Sequence, residues 1–245
     1  MARIVSLLVL LLAWQFASLG ASARYLPAPM AVFTAVAAEA QSGALLSNLG
    51  ATLLRVIAAF ALAMILGSVL GVAMGRKRAF DDFADPWVVV LLNLPALVII
   101  VLAYIWAGLT EAAAIGAVAL NKLPNTIVTM REGARALDAG LDEMALAFRM
   151  PLATRLRHVI LPQLAPWLAA AMRSGLSLVW KIVLVVEFMG RPNGVGFEIG
   201  TAFQLFDVKL LLAYTLPFVC VMLAIETLLV QKIERRVSRW RPRTA

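Results

Sequence analysis

The chain has 245 residues, of which 62% are hydrophobic and 15% charged, with a formal net charge of +8 and a mean hydropathy of +0.90. A soluble domain of this length could not hide so much apolar surface, so the composition is that of an integral membrane protein. A single cysteine, Cys220, and a single histidine, His158, exclude an intrachain disulfide framework and a zinc site of ordinary composition.

Six apolar stretches approach the ~20 residues that cross a bilayer core, at 3–21, 55–75, 87–107, 112–130, 167–188 and 210–230. The fold class expected is therefore all-α, with six transmembrane helices. The first stretch has a second reading. Arg3, an apolar run and Ala21-Ser22-Ala23 also fit a signal peptide with an A-x-A cleavage site, which would leave five spans.

The second stretch carries Gly67, Gly71 and Gly75, a small-xxx-small repeat that lets helix backbones approach closely. It suits packing within the chain or an interface between subunits. Arg55, at the start of this stretch, is expected to snorkel to the outer interface, and Arg173 in the fifth to do the same on the cytoplasmic side.

Asn93-Leu94-Pro95 interrupts the third stretch and Asn121-Lys122-Leu123-Pro124-Asn125 the fourth. Proline frees a carbonyl and kinks a helix, which a bilayer tolerates only where protein or water satisfies the backbone. Such breaks either line a pathway or serve as structural kinks. Lys122 lies midway along the fourth stretch and Lys181 well inside the fifth. A charge at the bilayer centre costs roughly 2.5–3.5 kcal/mol on insertion scales, so both should face protein or a watery cavity. Either they pair with acids such as Glu187 or Glu226, or their ammonium groups serve an anion crossing the membrane. Lys122, Lys181, Glu187 and Asn93 are thus the candidate pathway residues.

Of the 22 Lys and Arg residues, fifteen fall on one side of this topology, three on the other and four within spans. The richer side holds Arg3, Arg76, Lys77, Arg78, Arg131 through Arg157, and the tail from Lys232 to Arg243. The positive-inside rule makes that side cytoplasmic, with both termini on it. The same clustering beside apolar stretches argues against a nucleic-acid footprint. No GxxxxGK[ST] phosphate loop is present, so any ATP must be handled by another subunit.

Between the fourth and fifth stretches lies a polar segment, 138–162, with its own apolar pattern. Asp138 can cap a helix through Asp142 and Glu143, with acids in its first turn suiting the dipole. Pro151 disfavours helical geometry at Met150 and can open a second helix. Leu146, Phe148 and Met150 flank the bend as apolar anchors for a partner's groove, with Arg149 and Arg155 on the rim. The alternative is an amphipathic helix lying on the membrane surface.

The run Glu143 to Pro162, EMALAFRMPLATRLRHVILP, resembles the cytoplasmic EAA loop of ABC-importer permeases. That loop reads Glu-Ala-Ala, three residues, Gly, nine residues, Ile-x-Leu-Pro. Glu143, Ala145, Val159, Leu161 and Pro162 stand at matching offsets, whereas Met144 and Arg149 depart. Further segments resemble the nitrate/sulfonate/taurine branch: the Leu26-Pro27-Ala28-Pro29 stretch, Asn48 through Val56, and Trp180 through Glu187 followed by Gly194-Val195-Gly196.

The resemblance covers nearly the whole chain. It implies the type I ABC importer permease fold as one domain over 1–245, with a core near 45–235 and residues 1–23 kept as a helix. It implies a homodimer in the bacterial inner membrane, two cytoplasmic ATPases that carry ATP and Mg, and an external solute-binding protein. The chain would bind no cofactor and catalyse nothing itself. Its solute would be small, of the nitrate, sulfonate, taurine or bicarbonate class, although the branch also carries uncharged compounds such as a thiamine-precursor pyrimidine. Glu143, Ala145, Leu146, Phe148, Arg149, Met150, Pro151, Leu161 and Pro162 would couple to the ATPase. The contrasting reading is a stand-alone secondary transporter or channel, whose ion-coupling acids should lie mid-span. Most acids here lie in loops or near span ends.

Overall fold

The computed structural model describes residues 2–20, 22 and 24–230. The basic tail from Lys232 to Arg243, and Ala21 and Ala23 of the A-x-A signature, lie outside the described residues. Among the described residues there are helices and no strands. In chain order they are α1 (Ala2–Gly20), α2 (Pro29–Gln41), α3 (Ala44–Arg76), α4 (Arg78–Asn93), α5 (Ala96–Ala107) and α6 (Glu111–Arg135). There follow α7 (Ala139–Ala147), α8 (Leu152–Arg155), a π turn (Leu156–Ile160), α9 (Leu161–Gly190), α10 (Val195–Gln204) and α11 (Val208–Ile225), which runs into a second π turn (Glu226–Val230).

The expectation of six spans is met in part. Three helical stretches are long and apolar enough to cross a membrane: Ala44–Arg76, Leu152–Gly190 and Val208–Leu228. A fourth is obtained if α4 and α5 count as one, but they are bent by 99°. The bend has a local cause. Leu94 takes an extended conformation before Pro95, which cannot continue the ladder, and α5 starts afresh at Ala96. The apolar run of α1 is shorter, Leu8–Gly20. In α6 the apolar residues share the helix with Glu111, Lys122, Arg131, Glu132 and Arg135, and the helix is buried on Ala113, Ala117, Ile127, Met130 and Ala134.

The chain falls into two compact units. In the unit of 56–182 and 224–245, the lower half of α3 packs on α6 through the three glycines. A Cβ at Gly67 would stand 2.6 Å from Thr126 Cβ, one at Gly71 2.5 Å from the Ile127 carbonyl oxygen, and one at Gly75 2.6 Å from both Ala134 Cβ and the Arg131 carbonyl oxygen. The repeat therefore serves packing within this chain, by backbone contact that any side chain would push apart. Met130, Ala134 and Leu164 form the adjoining core, with Val72, Ile160 and Trp167 packed against it. At the end of this unit Arg131 bonds Asp81, at 3.2 Å, and Asp85, and Arg135 bonds Asp81 as well, so α4 and α6 are joined by charge as well as by packing.

In the unit of 1–55 and 183–223, the upper part of α3 faces the turn between α9 and α10. Asn48, Thr52 and Arg55 recur at i, i+4 and i+7 and share one helix face. All three are buried, at 8%, 0% and 5% exposure. Phe206, at φ 55°, ends α10 in a left-handed residue, with Asp207 N–H donating to the Ala202 carbonyl oxygen at 2.9 Å.

Gly71→Ala should lower stability by about 1–3 kcal/mol, because the new methyl meets backbone rather than a yielding side chain. Gly50→Ala, where nothing lies within 4 Å, should not. Thermal unfolding of both variants in detergent checks this; equal midpoints would mean that the α3–α6 seam is loosely packed.

Candidate functional site

The segment 138–162 is built as a closed, capped hairpin of short helices. Asp138 caps α7 as its position predicts, its Oδ1 accepting from Gly140 N–H at 2.7 Å and Leu141 N–H at 3.4 Å. Asp138's own N–H donates to Gln163 Oε1 at 2.9 Å, which ties the start of the segment to its end. The bend after α7 is a Schellman motif. Met150 N–H donates to the Ala145 carbonyl oxygen and Arg149 N–H to that of Leu146, each at 2.9 Å.

Arg149 is the left-handed residue of this motif, with φ 49°. It stands where the loop it resembles has glycine. The geometry that glycine favours is thus kept without glycine, at a cost of roughly 1–2 kcal/mol for an L-residue. Pro151 follows as the N-cap of α8, so the break at Met150 also forms as its sequence predicts.

The side chains divide cleanly between holding the hairpin together and leaving it. Ala145 and Val159 are buried, where α7 packs on the π turn. Leu146 is 62% exposed, Phe148 and Leu152 75% each, and Leu156 43%. Leu161 is also exposed, as are Glu143, Arg149, Pro151 and Pro162, whereas Met150 is half-buried. The hairpin therefore shows solvent a set of large apolar side chains that none of the described residues covers.

Asp142 is the ionic centre of the segment. Its Oδ2 lies 2.7 Å from Arg76 Nη1 at the end of α3, and its Oδ1 3.1 Å from Arg155 Nη2 in α8. Burial pushes the Asp142 carboxyl up, but the hydrogen bonds and charges of Arg155 and Arg76 outweigh this and hold it below the ordinary range. Sequence reasoning placed Arg155 on the rim and gave Asp142 no role beyond the helix dipole.

Within the membrane helices, the reading of Arg55 is corrected. It does not snorkel. Its Nη1 donates to Glu187 Oε1 at 2.7 Å and to the Asn193 carbonyl oxygen at 2.9 Å, and its Nη2 to Asn193 Oδ1. Thr52 Oγ1 and Gly196 N–H both donate to Glu187 Oε2 at 2.9 Å. Asn48 Oδ1 accepts from Gly194 N–H at 2.7 Å, and its Nδ2 donates to Glu198 Oε1 at 3.0 Å. Glu187 is thus fully buried and bound by Arg55 rather than by a lysine.

The glycines of Gly194-Val195-Gly196 have a reason in this contact. Gly194, at φ 112°, lies against the Glu187 carboxylate, where a Cβ would come within 2.4 Å, and a Cβ at Gly196 would meet the Leu184 carbonyl oxygen at 2.2 Å. The signal for the network was present in the polar 48/52/55 spacing, although the partner could not be read from it.

The two lysines differ in setting. Lys122 is 1% exposed, its Cε 2.0 Å from where a Cβ of Gly175 would stand. Lys181 is exposed on α9, on the same face as Arg173, Ser174 and Ser177. Among the described residues neither lysine has a carboxylate within ion-pair distance. Asn93 is exposed at the end of α4, its Nδ2 donating to the Val89 carbonyl oxygen at 2.8 Å.

Residues 63–239 match the family described as the binding-protein-dependent transport system inner membrane component. The chain belongs to this family. The permease is 28% identical over 235 residues to SsuC of Bacillus subtilis, provisionally named an aliphatic sulfonates transport permease protein, covering 95% of this chain and 85% of that one. It is 26% identical over 213 residues to CmpB of Synechococcus elongatus, a bicarbonate transport system permease protein, covering 82% and 76%. These likenesses put it in the nitrate/sulfonate/taurine branch of ABC-importer permeases, as the sequence motifs suggested. Its fold is that of a solved amino acid ABC transporter, with a TM-score of 0.64 at 20% identity over 82% of this chain and 97% of that one. Proteins of this family are components of transport systems rather than enzymes, and the membership implies ATPase and binding-protein partners.

Two variants test this geometry. Glu187→Ala strands a buried guanidinium and should cost about 3–5 kcal/mol, whereas replacing Arg55 and Glu187 together by methionine should recover much of that. Arg149→Gly should stabilise the bend by about 1 kcal/mol. Thermal unfolding in detergent reads both, and a destabilised Arg149→Gly would mean that the arginine side chain itself holds the bend.

Proposed function

We propose that two copies of the permease form the translocation pathway of an ATP-driven importer for a small oxyanion, delivered by an external binding protein. The observation that carries the coupling half of this reading is the exposed apolar set on the hairpin. Leu146, Phe148 and Leu152 are large, mostly exposed and displayed on a capped, rigid support. Such anchors, with Glu143 and Arg149 around them, suit insertion into a groove of a soluble partner. The partner is the ATPase, which carries the ATP and Mg. Residues 138–162 are its docking segment, with Ala145, Leu161 and Pro162 shaping the hairpin that Met150 and Pro151 bend.

The topology proposed has six crossings, with α1 retained, α4 and α5 together making one bent crossing, and α6 shielded by its neighbours. Both termini face the cytoplasm of a bacterium's inner membrane, in keeping with the fifteen basic residues assigned to that side.

The solute class draws on two supports. Aliphatic sulfonates and bicarbonate, named for the relatives, share a negatively charged oxygen group. On α9 the exposed Ser174, Ser177 and Lys181 offer hydroxyls and an ammonium along one face of a membrane-crossing helix. Lipid cannot solvate that face, so it belongs against water and the second copy, with Lys181 as the anion's contact. Lys122 and Asn93 are assigned to the same path more distantly, Lys122 buried behind it against Gly175 of α9.

Phe148→Glu should abolish retention of the ATPase in a pull-down from detergent-solubilised membranes while leaving membrane insertion intact; undiminished retention would remove the docking reading. Lys181→Met, in proteoliposomes holding the whole complex, should cut uptake of labelled taurine or bicarbonate about tenfold, the value of one charged hydrogen bond. Unchanged uptake of every oxyanion that the wild type carries would return Lys181 to a structural role.

A further inference from the structure

The ionic contact at Asp142 is not part of the motif that the hairpin resembles, and its geometry gives it a separate task. Three segments meet on one carboxylate. Arg76 belongs to the last turn of α3, Asp142 to α7 and Arg155 to α8, beyond the bend. Oδ2 takes Arg76 at 2.7 Å, while Oδ1 takes Nη2 and Nε of Arg155 at 3.1 and 3.3 Å. The two oxygens are therefore used for different purposes. One closes the hairpin across its bend, and the other fastens the closed hairpin to a membrane helix.

What lies beyond Arg76 makes the fastening consequential. One residue before it, Gly75 brings the α3 backbone against Ala134 and the Arg131 carbonyl of α6, and Gly71 does the same at Ile127. Arg131 and Arg135 of α6 are in turn bonded to Asp81 and Asp85 of α4. A push on the hairpin thus meets a chain of charged and backbone contacts with little slack. Without Asp142, the bend at Arg149 and the single residue between α3 and α4 would be free to absorb the motion.

We propose that Asp142 is a positioning residue for energy coupling, joining the docking hairpin to the cytoplasmic end of α3 through Arg76 while Arg155 holds the hairpin closed. It acts through other residues and touches neither solute nor nucleotide. Glu143, exposed beside it, remains available to the partner. The inference rests on the docking reading of the hairpin given above.

The test uses the intact complex of permease and ATPase in lipid nanodiscs. Amide hydrogen exchange is compared without nucleotide and with ATP plus vanadate. In the wild type, nucleotide should change exchange both in the hairpin, 139–160, and in the last turns of α3, 70–77. In Asp142→Asn and Arg76→Gln the hairpin should still respond, whereas the response of α3 should fall about tenfold, within the range that single residues exert on coupled sites. Arg76→Lys, which keeps the charge, should retain most of it. A purely structural role would instead raise exchange equally in both nucleotide states. That result, or a full α3 response in Asp142→Asn, overturns the proposal. A wild-type hairpin that ignores nucleotide overturns the docking reading, and this inference with it.

Discussion

The buried contact of Arg55 with Glu187 is the interaction on which the polar network of one unit of this permease depends. An isolated guanidinium or carboxylate in such a place would be costly by several kcal/mol. Here both are saturated, because Thr52, Asn193 and Gly196 take the positions that the two side chains leave open. The sequence around them is then constrained. Position 194 must be glycine to lie under the carboxylate, 196 must be glycine to pass the Leu184 carbonyl, and 48 must carry an amide to hold both Gly194 and Glu198. One ion pair thereby accounts for a motif that would otherwise be read only as family likeness.

The cytoplasmic hairpin follows the opposite rule. Its charges are partly open to water, so each contributes little to stability, on the order of 1 kcal/mol or less. They matter by geometry. Caps, a Schellman bend and a proline set the path of the backbone, along which large apolar side chains stand exposed. The apolar exposure that would be a liability on a free surface is what a dedicated docking element requires.

Much of this was legible beforehand where the physics is local. Composition declared a membrane protein, Asp138 declared a cap, and Pro151 declared a break, since each depends only on neighbours in sequence. The failures share a different character. Arg55 was misread because its carboxylate lies 132 residues away, and nothing local distinguishes a snorkelling arginine from a paired one. In the third apolar stretch the break at Pro95 was visible, whereas its 99° angle was not, because proline announces a kink without fixing its size. The importance of Asp142 was missed because both its arginines belong to other helices. Arg149 is intermediate: its departure from the loop pattern was visible, yet only the backbone reveals that it adopts the conformation that glycine would have taken.

The contact between Lys122 and Gly175 has an evolutionary consequence. The lysine stem fills the space that any side chain at 175 would need, with Cε 2.0 Å and Nζ 2.5 Å from the place of a Cβ. These two sites share one space. Lineages that gain bulk at 175 must displace the lysine stem or shorten 122, and lineages that lose the lysine leave room for alanine or serine opposite. Across homologous permeases the pair should therefore trade volume, as a covarying couple that marks where α6 and α9 are pressed together.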